Sequence, residues 1–570
     1  MARYLGILLC LFLLPSRALA DQAILSQQDI FHPVFGKSGM VATQEATATR
    51  VGLEILQRGG NAVDAAVAVG FALAVTLPRA GNLGGGGFML IHMAESGETL
   101  ALDYREMAPA AAGRDLFLDT AGEVDSQKAR FSHLSVGVPG SVAGLAAAQA
   151  RFGRLTLAEV MAPAIALAEE GIPVPPALAQ GLKDRAERLK RWPETARVFF
   201  KPDGSPYAAG DTLVQADLAW SLKAIAKDGP AAFYGGEVGK RIVAEMAAHD
   251  GLITAADLAA YEVKWRQPVT GSYRGHEIAS MPPPSSGGIH LVQILNLLEG
   301  YELAELGAGS AAALHLAAEA MKLAYADRSQ HLGDPDFWKV PAQGLVSKAY
   351  AESLRPRIDG ERALAAAEIK AGDPVPYESP DTTHYSVADR FGNVVSNTYT
   401  INFSYGTGIV AKGTGILLNN EMDDFSAKPG VPNAYGLIGG AANAIEPGKR
   451  PLSSMTPTLV FKDGKPWLVT GSPGGSRIIT TVLQIILNTV DHGMNVAAAT
   501  AAPRMHHQWL PDELRVEPGF SPDSLRLLEA KGHKVVVKNV MGSTQSLLRI
   551  EEGWTGASDP RRPGALTLGY

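Results

Sequence analysis

The sequence predicts an α+β protein in which helices are layered on antiparallel sheets. Two observations carry this. Before about residue 350, long stretches repeat apolar residues at helical spacing. From Thr383 onward, apolar and polar residues alternate in paired runs joined by tight turns. With 46% hydrophobic and 19% charged residues, the 570-residue chain has the material for a large core. A formal net charge of −7 gives no electrostatic case for nucleic acid or an anionic membrane as partner.

Residues 1–20, MARYLGILLCLFLLPSRALA, run from a basic start at Arg3 through an apolar stretch to Ala18-Leu19-Ala20. This is the layout of a secretory signal peptide, and it sets the expectation of a periplasmic or secreted protein. The apolar run from Leu5 to Leu14 is short for a membrane span; the alternative reading is an uncleaved anchor. The single cysteine, Cys10, lies inside this leader. The mature chain is therefore expected to hold no disulfide, no cysteine nucleophile and no thiolate metal site.

Two helices are predicted in TQEATATRVGLEILQRGGNAVDAAVAVGFALAVTLP. Gly59-Gly60 end the first, and Asn61 caps the second with Asp64 in its first turn. The second is small and apolar all round, so it should be buried on most sides. The cluster GNLGGGGFMLIH lacks the P-loop and dinucleotide patterns, which leaves close backbone packing as the use of Gly84 to Gly87. Residues from about 155 to 270 read as helical. SMPPPSSGG forms a rigid loop before another apolar helix, and AAALHLAAEAMKLAYADRSQHLG a further long one. On it His315 and Glu319 stand one turn apart, but no second histidine lies at metal-motif spacing. Residues 350–381 are charged and then proline-punctuated, the texture of an exposed loop or tail. HYSVADR and VVSNTYTINF then pair as a hairpin, and PTLVFKDGKPWLVTG as a second with Asp463-Gly464 at its turn.

The stretch ESPDTTHYSV admits two readings. Thr382 and Thr383 are ordinary strand residues, or one of them is a nucleophile. A threonine hydroxyl needs a base. Freed as an N-terminus by cleavage at Asp381–Thr382, it carries its own, an α-amine of ordinary pKa about 7.7–8.0. Other segments bear on the choice. Gly474 and Gly475 in TGSPGGSR can present backbone N–H groups to an oxyanion, or simply turn a strand into a helix. Arg105 in LDYREMAP, Ser453-Ser454 in KRPLSSMTPTLVF, and Glu421, Asp423 and Asp424 in LLNNEMDDFSA together offer a cation and hydroxyls for a carboxylate, and carboxylates for an ammonium.

Nine segments, GGNAVDAAVAV, GGGGFML, LDYREMAP, SMPPPSSGGIH, MKLAYADR, DTTHYSV, GILLNNEMDDFS, RPLSSMTPT and GSPGGSRI, resemble the γ-glutamyltranspeptidases, or glutathione hydrolases, most nearly the bacterial periplasmic members. The resemblance implies an N-terminal-nucleophile hydrolase, a four-layer αββα sandwich. It also implies self-cleavage between Asp381 and Thr382. The large subunit (21–381) and small subunit (382–570) would remain one domain as a heterodimer. Thr382 would attack the γ-carbonyl of glutathione or another γ-glutamyl compound and pass the acyl group to water, an amino acid or a peptide. Thr400 matches the partner of the nucleophile, and Gly474 and Gly475 the oxyanion donors. Arg105, Ser453 and Ser454 match residues around the substrate α-carboxylate. Asn402, Glu421 and Asp424 match those around the α-amino group; Glu421 stands where some members have Gln. Tyr435 falls in a lid loop. His506-His507 belong to the pattern as structural residues, and no metal or cofactor is implied. A β-lactam side-chain acylase of the same fold, and an inactive amino-acid-binding module, are the competing readings.

Overall fold

The computed structural model describes residues 29–372, 383–428, 430–431 and 439–570. Among the described residues, two seven-stranded antiparallel sheets form the centre. The first runs Leu566–Gly569, Met40–Thr43, Thr383–Ala388, Val394–Thr400, Gly86–Met93, Glu98–Tyr104, Lys264–Arg266. The second runs Val34–Gly36, Gly553–Ser558, Gln545–Ile550, Lys465–Thr470, Thr458–Lys462, His276–Ser280, Val269–Tyr273.

Strand periodicity of two assigns each side chain to a layer. In Gly86–Met93, Met89 and Ile91 join the core under the helices Ala46–Gln57, Ala62–Thr76 and Ser141–Phe152. Phe88 and Leu90 join a second core that reaches through Leu459, Leu468 and Leu547 of the other sheet. That core continues to the helices Gly287–Leu298, Ala311–His331 and Arg477–Val490. The order is therefore helix, sheet, sheet, helix. Part of the sheet-to-sheet layer is polar: Ser396 Oγ donates to Thr470 O (3.0 Å) and Ser386 Oγ to Gln545 O (2.7 Å). These bonds cross-link the sheets and satisfy buried groups that would otherwise cost about 1–3 kcal/mol each.

Local chemistry places the elements. Asn61 Oδ1 accepts from Val63 N and Asp64 N, and Asp64 Oδ2 accepts from Asn61 N, closing a capping box on a helix buried along its whole length. Asp463 and Gly464 take φ of 51° and 71°, the left-handed pair that the second hairpin needs. The glycine cluster serves backbone approach, as the absence of a phosphate pattern suggests. A Cβ on Gly84 would lie 2.2 Å from Leu417 O, and one on Gly85 2.0 Å from Thr400 O.

The structure departs from the sequence reading in two stretches. The region read as helical to about 270 ends in the strands Lys264–Arg266 and Val269–Tyr273, short and half-exposed edges that hold few large apolar residues. Residues 355–372 are tied down rather than tail-like. Ala366 N donates to Asp512 Oδ2 (2.8 Å), Gly372 N to Asp327 Oδ1 (2.5 Å), and Ala366 and Ile369 are buried.

Candidate active site

Four loops at strand ends build a buried charge cluster. The strand Glu98–Tyr104 ends directly at Arg105, which is fully buried. Its guanidinium donates from Nη1 to Glu421 Oε1 (2.5 Å), from Nη2 to Asp424 Oδ2 (2.5 Å) and from Nε to Pro451 O (3.1 Å). Glu421–Asp424 is a 3₁₀ turn. Asn419 fixes it: its Oδ1 accepts from Glu421 N (3.0 Å), while its Nδ2 donates to Gly84 O and Gly137 O (both 2.8 Å). The glycine loop thus sets the height of the acidic turn over the sheet.

The cluster holds more carboxylate than cation. Glu106, also fully buried, places a carboxylate oxygen 3.7 Å from Arg105 Nη1. Among the described residues, no donor bonds either Glu106 oxygen or Asp424 Oδ1. Burial and then the neighbouring Glu421 push the carboxyls of both Glu106 and Asp424 well above the ordinary range. Burial lowers Arg105, but Glu421 and Asp424 outweigh it and hold the guanidinium charged. Burial also pushes Asp423 up to about 7, although Arg130 Nε bonds its Oδ1 at 3.2 Å. A cavity of about 210 Å³ opens beside these groups, lined by Asp423, Asp424, Arg130, Lys428 and Asn443 among others. Such a site suits a small ligand carrying both a carboxylate and an ammonium, which can exchange partners with ions already paired.

Asn402 joins the cluster from the next strand end. Its Nδ2 donates to Asn420 O (3.0 Å), one residue before Glu421, and its N–H to Thr400 Oγ1 (2.7 Å). Its φ of 67° is left-handed, a conformation that asparagine tolerates and that gathers at functional sites. Thr400 ends the strand Val394–Thr400, held by Asn82 Nδ2 on its carbonyl (2.9 Å). The antiparallel partner of that strand begins at Thr383, opposite Tyr399.

Ser453 and Ser454 follow Pro451 into the same neighbourhood. Ser453 is held through its backbone by Pro284 O (2.8 Å) and Ser286 N (2.7 Å); Ser454 Oγ accepts from Arg328 Nη2 (3.0 Å). Arg328 lies on the helix Ala311–His331, whose Tyr325 hydroxyl donates to Ser476 O, just past Gly474 and Gly475. One helix therefore ties the serine loop to the glycine turn. Gly474 and Gly475 have φ of 141° and 63° and precede the helix Arg477–Val490. A left-handed glycine turn ahead of a helix is the place where backbone N–H groups stay available.

Of the threonine pair, Thr383 is structural: buried, with Oγ1 accepting from Gln44 Nε2 (2.8 Å). His384 bonds Thr398 Oγ1 and Ser386 Oγ (3.0 Å each), and burial lowers it to about 3, so it is a neutral link between side chains. Asp381, Thr382 and Tyr435 lie outside the described residues. His506 is taken up by Thr480 Oγ1 and Gln508 Oε1, and His507 by Asp512 and Trp509 N. His315 and Glu319 acquire a neighbour that local spacing cannot reveal. His533, far along the chain, brings its Nε2 2.8 Å from His315 Nδ1, and the three residues have ligand atoms within 4.8 Å of one another. Lys322 Nζ already sits 2.7 Å from Glu319, however, and His315 Nε2 bonds Asp359 O, so the cluster balances itself. Sequence reasoning passed over Glu106 and Arg328, although both stand inside its quoted motifs.

The model of the gamma-glutamyltranspeptidase family matches residues 48–568. The chain belongs to this family. Among its relatives, it is 60% identical to the glutathione hydrolase proenzyme of Escherichia coli over 95% of this chain and 94% of that one. It is 46% identical to the glutathione hydrolase proenzyme of a Pseudomonas species over 94% and 95%. Among solved structures, a cephalosporin acylase from Bacillus halodurans superposes with a TM-score of 0.85 at 30% identity, covering 97% of this chain and 99% of that one. The four layers described above are those of the N-terminal-nucleophile hydrolases, and the family is one of enzymes.

Proposed function

We propose that the protein is a self-processing γ-glutamyltransferase and glutathione hydrolase. The carrying observation is the buried Arg105–Glu421–Asp424 constellation, which has a cation for an α-carboxylate and surplus carboxylates for an α-ammonium. The names of relatives at 60% and 46% identity supply the substrate class.

In this reading the Thr382 hydroxyl attacks the Asp381 carbonyl, the acyl group moves from nitrogen to oxygen, and water splits the ester. The chain becomes a large part (21–381) and a small part (382–570) that stay together. The new α-amine then takes the hydroxyl proton when Thr382 attacks a γ-glutamyl carbonyl, and returns it to the leaving amine. Thr400 hydrogen-bonds the nucleophile, and Gly474 and Gly475 N–H groups hold the oxyanion. Arg105, Ser453 and Ser454 receive the α-carboxylate; Asn402, Glu421 and Asp424 receive the ammonium; Tyr435 closes over the pocket. The ester is resolved by water, an amino acid or a peptide. The leader at 1–20 directs export to the periplasm. No helix among the described residues is long and apolar enough to cross a membrane.

Intact-mass measurement tests the scheme. Purified wild-type protein is expected as two pieces split at Asp381–Thr382, and Thr382→Ala as one inactive chain. Two pieces from Thr382→Ala would refute it. The acylase structure favours one rival, release of a β-lactam side chain. Faster turnover of a cephalosporin than of γ-glutamyl-p-nitroanilide would select that rival.

A further inference from the structure

We propose that His133, Glu245 and His249 form a binding site for a divalent zinc-like cation, outside the active site. His133 opens the 3₁₀ turn His133–Ser135; Glu245 lies on the helix Glu237–Ala248, and His249 is that helix's C-terminal cap. Glu245 Oε1 is 3.1 Å from His133 Nε2 and 3.5 Å from His249 Nε2, and the three residues have ligand atoms within 4.8 Å of one another. Ligands around a tetrahedral zinc at 2.0–2.1 Å stand about 3.4 Å apart. The histidine rings stack at 4.7 Å, and the Trp192 ring meets both edge-on. A small ring rotation of His249, whose side chain is 46% exposed, brings the third donor in and leaves a fourth position to water.

Charge separates this cluster from the one at His315, Glu319 and His533. There a lysine ammonium already neutralises the carboxylate. Here the Glu245 side chain is only 10% exposed, and its ion-pair partners among the described residues are the two histidines alone. The other Glu245 oxygen, Oε2, accepts from Lys412 N (3.3 Å), which leaves Oε1 facing the histidines. A half-buried carboxylate between two imidazoles, with one imidazole open to solvent, is a hard–borderline donor set with an entry path. The Glu245 and His249 pair at i and i+4 share one helix face, and His133 comes from over one hundred residues earlier. That separation is why local spacing gave no metal signal.

An ion here would pin the helix Glu237–Ala248 to the segment whose Arg130 holds Asp423, so it would brace the acidic turn from behind. The test uses untagged full-length protein stripped with a chelator. Equilibrium dialysis against zinc chloride is expected to load one ion at this site, and cobalt(II) to show the visible absorption of a tetrahedral nitrogen–oxygen site. His249→Ala should weaken zinc binding at least tenfold and abolish that absorption. Glu245→Gln, which keeps shape, should do likewise. Metal-free hydrolysis of γ-glutamyl-p-nitroanilide by His249→Ala should match wild type, which certifies its fold. No zinc uptake, or uptake unchanged in His249→Ala, overturns the assignment.

Discussion

Two of the arginine–carboxylate clusters buried among the described residues are wired in opposite ways. Around Arg504, Asp559 Oδ2 accepts from Arg504 Nη2 (2.5 Å) and Thr544 N (2.9 Å), and Oδ1 from Arg561 N (3.0 Å). Glu517 Oε2 accepts from Arg504 N (2.9 Å) and Arg561 Nη2 (2.5 Å). Two guanidiniums face two carboxylates, and every carboxylate oxygen is engaged. Burial pushes Asp559 up, but Arg504 and Arg561 outweigh it, and its carboxyl falls below the ordinary range. Around Arg105, one guanidinium faces Glu106, Glu421 and Asp424; among the described residues no donor bonds either Glu106 oxygen or Asp424 Oδ1, and the carboxyls of Glu106 and Asp424 rise. A buried cluster whose carboxylate oxygens are all engaged is a brace. One that carries surplus acceptors is costly to leave empty, and that cost is the mark of a place where something binds.

The largest effect should separate the two clusters by function. Arg105→Met is expected to lower kcat/KM for γ-glutamyl-p-nitroanilide by about 10²–10⁴, the scale of losing one partner of a buried charge pair. Correctly folded Arg105→Met protein with undiminished kcat/KM would erase the distinction. Arg504→Met is expected to act on the fold instead, costing about 3–5 kcal/mol by removing one of the two cations that hold Asp559. Urea unfolding measures that loss, and activity per folded molecule should stay within a factor of a few of wild type.

The third effect is in pH. Asp423 titrates near 7 in the fold and near 3.9 when unfolded. Between those values the folded protein binds the extra proton, so this residue makes stability fall as pH rises from about 4 to about 7, with no further change above. Asp559 has the opposite sign: its lowered value contributes stability that is present above about 4 and lost as pH falls through the folded value. Asp423→Asn should therefore gain stability over wild type at pH 8 and little at pH 4, seen in urea midpoints at both. An equal gain at both pH values would show that the carboxyl is not titrating where its burial places it.

Much of this was legible in the sequence because it is local. Asn61 with Asp64 announces a helix start, Asp463-Gly464 a hairpin, and the glycine run a close backbone approach. The surplus of acid near Arg105 was visible as separate motifs, and the fold brings them into contact. What stayed hidden depends on distance along the chain. Nothing near His315 points to His533, and nothing near Glu245 points to His133. The edge strands Lys264–Arg266 and Val269–Tyr273 were missed because they are short and face solvent: the first has one apolar side chain between two charges, and the second has Thr270, Gly271 and Ser272 at its centre, too little of the alternation that marks central strands.

The strand order carries a consequence for biogenesis. Thr383–Ala388 lies between Met40–Thr43 and Val394–Thr400, while Leu566–Gly569 closes the edge on Met40–Thr43. Neither side of residue 382 can complete this sheet alone, and no disulfide is available to rejoin them. Synthesis as a single polypeptide gives each stretch the other at high effective concentration during assembly. A nick made afterwards leaves the ladders intact, whereas two separately translated halves would meet as strangers with raw β-edges exposed.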